Sequence, residues 1–300
     1  MKPQIRVNLI PLYRCNQNCG FCLYSHEKQN QNTMSLSWLD ESLSNISRKY
    51  DIAQIKVSGG EIALLSDLYF EMLYNILKIH CKKIIIETNF INFKKGIINN
   101  CDIINVKYNF NDYSPFKQQV FSNIKAAVDT GKIINVKSLD ISCKTDQSAI
   151  IEQLNILKIK SWEIIPFHQT IHTRYKFKGY DEYEEVVRTF LRLSHKMKFA
   201  FQNKLQLEGI LNIDNYNIKT LYMTPNDKFA VQAFENNNFY LREMDNLDEI
   251  NNYFIEMEKK RDKICRNCTS KLKCMANYFL NLDYNGPSCS GYKDLLTQYK

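Results

Sequence analysis

The chain lacks what would place it in a membrane, outside the cell or along a nucleic acid. No apolar run approaches the roughly 20 residues needed to cross a bilayer. The N-terminus, Met1-Lys-Pro-Gln-Ile-Arg, leads into a short strand-like run and not into the apolar core of a secretion signal. No basic stretch with interleaved aromatics occurs. The 40 Lys and Arg stand against 32 Asp and Glu, and the formal charge of +8 is spread over 300 residues. That describes a solvated surface with some attraction for an acidic partner, and it speaks against a nucleic-acid stripe. No internal repeat or low-complexity linker is evident. These absences predict a cytoplasmic protein with neither membrane nor nucleic acid among its partners.

What is present is ample material for a core, 44% hydrophobic with 12% aromatic, so wholesale disorder is excluded. The length suits one large domain, or one large and one small. There are ten cysteines. Without a secretion signal, clustered thiols more often bind metal than form disulfides.

The most informative run is Cys15-Asn-Gln-Asn-Cys19-Gly-Phe-Cys22, a C-x3-C-x2-C spacing with an aromatic residue before its last thiol. Three thiolates on one loop suit three corners of a cubane iron–sulfur cluster and leave its fourth iron without a protein ligand. Zinc is the alternative, but its sites prefer paired C-x2-C units and four ligands, and only His26 lies close by as a fourth. The run, Phe21 included, resembles the C-x3-C-x-aromatic-C motif of radical S-adenosylmethionine (radical SAM) enzymes. The resemblance implies a [4Fe-4S] cluster on Cys15, Cys19 and Cys22, with SAM chelating the open iron.

Between about residues 5 and 166, β-branched runs alternate with helical periodicity. Strands are predicted at Ile5–Leu12, Ala53–Val57, Lys83–Glu87, Ile103–Tyr108, Ile133–Ile141 and Trp162–Ile165. Leu36, Leu39, Leu43 and Ile46 mark one helix face, with Ser37 and Asp40 fitting a capping box. Leu68, Met72, Ile76 and Ile79 mark the next, and Tyr180–Lys196 reads as a later helix. Six such units imply parallel βα pairs with function at the C-terminal ends of the strands. The family resemblance makes this an α/β fold, a partial (β/α)6 TIM-like barrel over residues 1–200. Beyond it the alternation stops. Short polar strands (Lys204–Ile213, Lys228–Phe234, Phe239–Glu243), a helix near Asp248–Arg261 and a cysteine-rich tail predict a small α+β domain over residues 201–300.

Further motifs sit at strand ends. Ser58-Gly59-Gly60-Glu61 follows the second strand; two glycines permit a tight turn and close approach of backbone to a ligand. It is similar to the family's Gly-Gly-Glu, which implies that this turn holds the SAM amino group. Thr88-Asn89 resembles Thr-Asn-Gly, with Phe90 in the glycine position. Asn109 and Asn111 fall where relatives present polar groups to SAM. On the fifth strand Ser138, Asp140 and Ser142 alternate with Leu139, Ile141 and Cys143. One face of a barrel strand points inward, so Ser138 and Asp140 are predicted to meet the SAM ribose and Cys143 to lie outward.

The tail reads Cys265-Arg-Asn-Cys268, then Cys274 and Cys289. It resembles part of the SPASM/Twitch extension of peptide-modifying radical SAM enzymes, which implies a second, fully ligated [4Fe-4S] cluster; structural zinc on the same four thiols is the alternative. Tyr278 stands where a further cysteine is expected. In the strand-turn Thr224-Pro225-Asn226-Asp227-Lys228, Asp227 takes a glycine position, and further on Gln232 takes a cysteine position. Both departures imply that no third cluster is built. Cys81 and Cys101 read as core residues, His168 and His172 as loop histidines, and Cys143 as a candidate hydrogen-atom donor.

The resemblance implies reductive cleavage of SAM to a 5′-deoxyadenosyl radical, fed by a flavodoxin or ferredoxin-type donor, and hydrogen abstraction from a substrate. The first expectation is crosslinking, epimerisation or oxidation of a ribosomally made peptide. The second is a dehydrogenase or rearrangement enzyme acting on a small molecule, and the third a non-catalytic zinc-binding protein. A leader-peptide-binding domain would discriminate the first two, and none is expected before residue 5.

Overall fold

The alternation resolves into a βα succession in the computed structural model, which describes residues 2–20, 22–101, 103–108, 110, 115–139, 146–165, 180–212, 219–235, 238–264 and 266. The order is β1 (Gln4–Leu9), α1 (Leu36–Lys49), β2 (Asp51–Val57), α2 (Asp67–His80), β3 (Ile84–Thr88), α3 (Lys95–Asn100), β4 (Ile103–Lys107), α4 (Lys117–Asp129), β5 (Ile133–Leu139), α5 (Gln147–Leu157) and β6 (Ser161–Ile165). Then come α6 (Tyr180–Arg192), β7 (Ala200–Phe201), α7 (Gln202–Asn212), β8 (Lys219–Thr224), β9 (Lys228–Glu235), β10 (Asn238–Met244) and α8 (Leu247–Ile264). The described strands form one sheet, ordered β10-β9-β8-β1-β2-β3-β4-β5-β6-β7. Every pairing from β8 across to β7 is parallel, and the β8–β9 and β9–β10 pairings are antiparallel. This is the expected α/β partial barrel, with β8 to β10 continuing the same sheet beside β1.

Strand alternation divides the sheet into two chemistries. Val7, Leu9, Ile55, Val57, Ile86, Ile104, Val106, Val136 and Trp162 are each 0% exposed and pack in one cluster with the helices. Fully burying such a side chain contributes about 1.5–3 kcal/mol, so this face holds the barrel together. The opposite face is polar.

Four local readings change. The N-cap of α1 is Ser35, whose Oγ accepts from the Trp38 N–H at 3.3 Å; Ser37 instead pairs with Ser35 at 2.8 Å. Helix α2 buries Phe70, Leu73, Tyr74 and Leu77 and leaves Leu68, Met72 and Ile79 exposed. The two stripes share the helical period, and the one with two aromatics removes more area from water. Of residues 204–213, expected as a strand, 204–212 belong to α7: Asn203 and Leu207, four apart, are buried while Leu205 is exposed, and residue 213 lies outside the described residues. The Asn203 amide explains the change. Its Oδ1 accepts from the Ile164 N–H at 2.8 Å and its Nδ2 donates to the Ile164 carbonyl at 2.9 Å, doing for β6 what the two-residue β7 is too short to do. Finally, a short repeat does exist. Ile-Ile-Asn-Val-Lys occurs at 103–107 and at 133–137, and the two copies lie side by side in register in β4 and β5.

Three non-glycine residues adopt positive φ: Phe90 (57°), Lys158 (52°) and Asp227 (54°). Phe90 and Asp227 are the two positions where the family resemblance puts glycine, so the backbone turn persists without it. Phe90 is 1% exposed and packs on Phe93, so its burial outweighs the roughly 1–2 kcal/mol of left-handed strain. Lys158 caps α5 and is exposed, so it has no such compensation. Lys158→Gly is therefore expected to stabilise the protein by about 1 kcal/mol in urea unfolding, whereas Phe90→Gly is expected to destabilise it by about 3 kcal/mol or more.

Candidate functional site

The cysteine loop begins where β1 ends, at the C-terminal edge of the parallel strands. It is closed at its base by a Leu12–Thr33 bridge, and Arg14 reaches Thr33 Oγ1 at 3.3 Å. Within it the Cys22 N–H donates to the Cys19 carbonyl at 3.2 Å, and Lys28 Nζ donates to the Gln17 carbonyl at 2.8 Å. Cys15, Cys19 and Cys22 form no disulfide with another described residue, and each is partly exposed. The hairpin tip between β8 and β9 pins the loop's far side. The Asn226 side chain accepts from Asn30 and Asn32, both at 3.1 Å, and the Asp227 carboxylate accepts from the Ser35 N–H at 2.9 Å.

The turn after β2 supports the loop from below. The Gly60 N–H donates to the Leu12 carbonyl at 3.0 Å and the Glu61 N–H to the Arg14 carbonyl at 2.8 Å. A Cβ on Gly60 would lie 1.9 Å from the Arg14 oxygen and 2.5 Å from the Tyr13 oxygen; one on Gly59, which has φ +121°, would lie 2.7 Å from the Leu12 oxygen. Glycine is required here because backbone packs directly on backbone. The Ser58 N–H extends the same seam to the Leu9 carbonyl at 2.8 Å.

Glu61 lies beneath the site's surface, not on it. Its carboxylate is 0% exposed and accepts from Thr88 Oγ1 at 2.6 Å, the Asn89 N–H at 2.8 Å and the Ala63 N–H at 3.0 Å. Three donors hold it in place, and burial raises its pKa against them. Through this clasp the end of β3 is tied to the Gly-Gly turn. Asn89 then turns up to the cysteine loop, its Nδ2 at 2.7 Å from Asn16 Oδ1 and 4.0 Å from Cys15 Sγ.

The barrel's inner face holds a charged tier that the sequence reading missed. Glu87, 8% exposed, meets Lys107 at 3.0 Å, Lys137 at 3.7 Å and Lys56 at 3.8 Å; Lys137 also meets Glu163 at 3.2 Å. One register step toward the strands' N-terminal ends, Asn105, Asn135 and Ser161 are hydrogen-bonded across β4, β5 and β6. Among the described residues of this tier, three lysines against two glutamates leave one positive charge in excess. Burial works to raise the Glu87 pKa, but the three lysines overcome it and hold the carboxyl well below its ordinary range. At Lys56 burial, helped by the charges of Lys137 and Lys107, outweighs Glu87 and lowers the pKa, whereas at Lys107 the Glu87 carboxylate outweighs burial and raises it. The available signal was the repeated Asn-Val-Lys, which sets polar residues two apart in otherwise apolar strands.

That register corrects the facing of β5. Asn135 and Lys137 are the inward residues, so Ser138 turns toward the helices. It is 0% exposed, donates to the Tyr108 carbonyl at 2.7 Å and accepts from Trp162 Nε1 at 3.0 Å. The predicted ribose contact from Ser138 therefore has no hydroxyl to offer inward. Phe21, Asn109, Asn111, Asp140, Cys143, Cys265, Cys268, Cys274 and Cys289 lie outside the described residues, as do His168 and His172.

The donor set fits an iron–sulfur cluster. Among the described residues no three His, Cys, Asp or Glu side chains converge on one metal ion. In a cubane each thiolate would bind a different iron, and three partly exposed thiols on one loop suit that arrangement. Cations surround the loop: Lys28 acts on Cys15 and Lys107 on Cys22. Arg14 Nε is buried with no hydrogen-bond partner among the described residues.

Neither a family model nor a curated protein sequence matches the chain. Solved structures do. Streptococcus suis SuiB bound to S-adenosylmethionine shares 15% identity over 95% of this chain and 75% of its own, with a TM-score of 0.68. SuiB bound to precursor peptide SuiA shares 15% over 76% of this chain and 59% of its own, with a TM-score of 0.57. The protein anSMEcpe, with bound AdoMet and Cp18Cys peptide, shares 12% over 99% of this chain and 95% of its own, with a TM-score of 0.68. At these identities the likeness is one of fold. Among the described residues no helix is long and apolar enough to cross a membrane.

Glu87→Gln leaves three lysines without their shared carboxylate and is expected to cost about 3 kcal/mol at neutral pH. Because the folded pKa of Glu87 is depressed, its contribution is present above the unfolded carboxylate pKa of about 4.3 and is lost as pH falls below it. Urea titrations should show the gap between wild type and variant narrowing below about pH 4; a constant gap down to about pH 3 contradicts the assignment.

Proposed function

We propose that the chain is a cytoplasmic radical SAM enzyme that modifies a peptide. The observation that carries this is the docking of a three-thiol loop, by backbone contact with Gly59 and Gly60, onto the C-terminal edge of a parallel partial barrel with a charged interior. Cys15, Cys19 and Cys22 would hold a [4Fe-4S] cluster, and Phe21 would flank it. Bound there and reduced by a flavodoxin or ferredoxin-type donor, the cluster and SAM would supply a 5′-deoxyadenosyl radical.

The chain's own residues orient and enclose. The Ser58–Gly60 backbone and Asn89 frame the place for SAM. Glu61 and Thr88 act one layer down by fixing that frame. The excess lysine charge of the inner tier favours a carboxylate, whether of SAM or of the substrate. Asn109, Asn111 and Asp140 are further candidates for SAM contact. Cys265, Cys268, Cys274 and Cys289 would hold an auxiliary [4Fe-4S] cluster in the extension over 201–300, and Cys143 is a candidate hydrogen-atom donor.

A peptide substrate is supported by the peptides bound in the SuiB and anSMEcpe structures. The modification is a crosslink, an epimerisation or an oxidation.

Anaerobic reconstitution with iron and sulfide tests the reading. Wild type should load roughly eight iron atoms per chain and a Cys265/Cys268/Cys274/Cys289→Ala variant roughly four. Reduced wild type given SAM should form 5′-deoxyadenosine, and a Cys15/Cys19/Cys22→Ala variant should form none. Zinc without sulfide in the purified protein, or equal product from both proteins, overturns it.

A further inference from the structure

A cavity of about 260 Å³ lies between the cysteine loop and the β8–β10 strands. Tyr13, Tyr24, Tyr222 and Tyr240 line it together with the carboxylates of Glu27 and Glu243, and among the described residues no lysine or arginine contributes to its wall. The Tyr13 and Tyr24 rings are 5.5 Å apart at a 43° tilt. Thr224 Oγ1 at 2.6 Å and Asn226 Nδ2 at 3.0 Å both donate to Glu243 Oε1, which locks that carboxylate's orientation. Glu27 is steadied by Asn30 Nδ2 at 3.4 Å, and His26, also on the wall, lies 3.5 Å from it. Gln232 stands on the wall where the family resemblance puts a metal-ligating cysteine, so the cavity offers amide, phenol and carboxylate groups in place of a thiol.

The size and the chemistry of this wall select a ligand. Sites for whole drug-sized ligands run from about 300 to 1,000 Å³, so this one suits a single side chain better than a SAM molecule. Aromatic faces attract cations through their quadrupole, by about 0.5–2 kcal/mol, and two fixed carboxylates add Coulomb attraction in a partly enclosed space. Anionic groups are repelled for the same reason, and a plain aliphatic chain leaves both carboxylates desolvated without a partner. Leu23 and Tyr24 follow Cys22 directly and both face the cavity. A side chain lodged there brings its own backbone alongside the cysteine loop.

We propose that this cavity is a specificity pocket for a cationic side chain, a lysine ammonium or an arginine guanidinium, of the peptide substrate. The proposal rests on the reading of the chain as a peptide-modifying enzyme, but the pocket's chemistry is testable without turnover.

The test is calorimetric titration of the reconstituted protein with three capped tripeptides, Ac-Ala-Lys-Ala-NH2, Ac-Ala-Arg-Ala-NH2 and the norleucine isostere. The lysine and arginine probes should bind at least tenfold tighter than norleucine and weaken as salt rises. Glu27→Gln/Glu243→Gln should lose at least tenfold for the cationic probes alone. Because Glu243 also braces the hairpin, Tyr240→Ala at the 41% exposed rim is the second variant, and it should weaken the cationic probes severalfold. SAM binding, measured on every variant, should be unchanged. Equal binding of norleucine, or full binding by both variants, overturns the pocket. If wild type binds no SAM yet keeps a glutamate-dependent lysine preference, the enzyme reading falls and the pocket stands; SAM binding without that preference sinks the pocket alone.

Discussion

Everything at the candidate site depends on backbone packing against backbone at Gly60. A loop bearing three thiols is held in a cluster-binding shape only if its stem is fixed, and here the stem carbonyls of Leu12, Tyr13 and Arg14 rest on a turn that has no side chains in the way. The turn in turn is fixed by Glu61, whose carboxylate gathers donors from the end of β3. Three consecutive strand ends are thus joined without any bound group. A buried carboxylate with three hydrogen bonds is costly to disturb, so the platform is held by its own hydrogen bonds, the kind of orientation that the proposed function would require.

The second constraint is the polarity of the barrel's interior. An apolar inner face would fill with side chains and close the barrel's mouth, as in ordinary parallel barrels. Lysines on β2, β4 and β5 converging on Glu87 of β3 prevent this, because charged side chains need space and partners. The tier leaves a net positive interior below the cysteine loop, while the tyrosine and glutamate cavity beside the loop is negative. Under the proposed function, a peptide crossing from one to the other would meet opposite fields a short distance apart. That arrangement fixes register better than either field alone.

Much of this was legible in the sequence, and the failures share one cause. Strand and helix periods located the six βα units because burial on one face leaves a clear signature. The cysteine run and Gly-Gly-Glu were readable because their spacing is local. What one sequence does not carry is which of two equivalent faces is buried. Thus α2 turned Phe70 and Leu77 inward in place of Leu68 and Met72, and β5 turned Lys137 inward in place of Ser138. The alternating Lys204-Leu-Gln-Leu run became a helix because Asn203 is needed to complete the edge of β6, a requirement set by tertiary structure. The ion tier was hidden because its members come from five strands, although the repeated Ile-Ile-Asn-Val-Lys was in plain view.

The central claim is that this platform presents a cluster with one iron open to SAM. Electron–nuclear double resonance on the reduced, reconstituted protein tests it most directly, using SAM labelled with carbon-13 in the methionine carboxylate. A resolved coupling between the labelled carbon and the cluster is the expected result, since it requires the carboxylate to sit on iron. A cluster at full iron and sulfide load that shows no such coupling, with SAM demonstrably bound, contradicts the account.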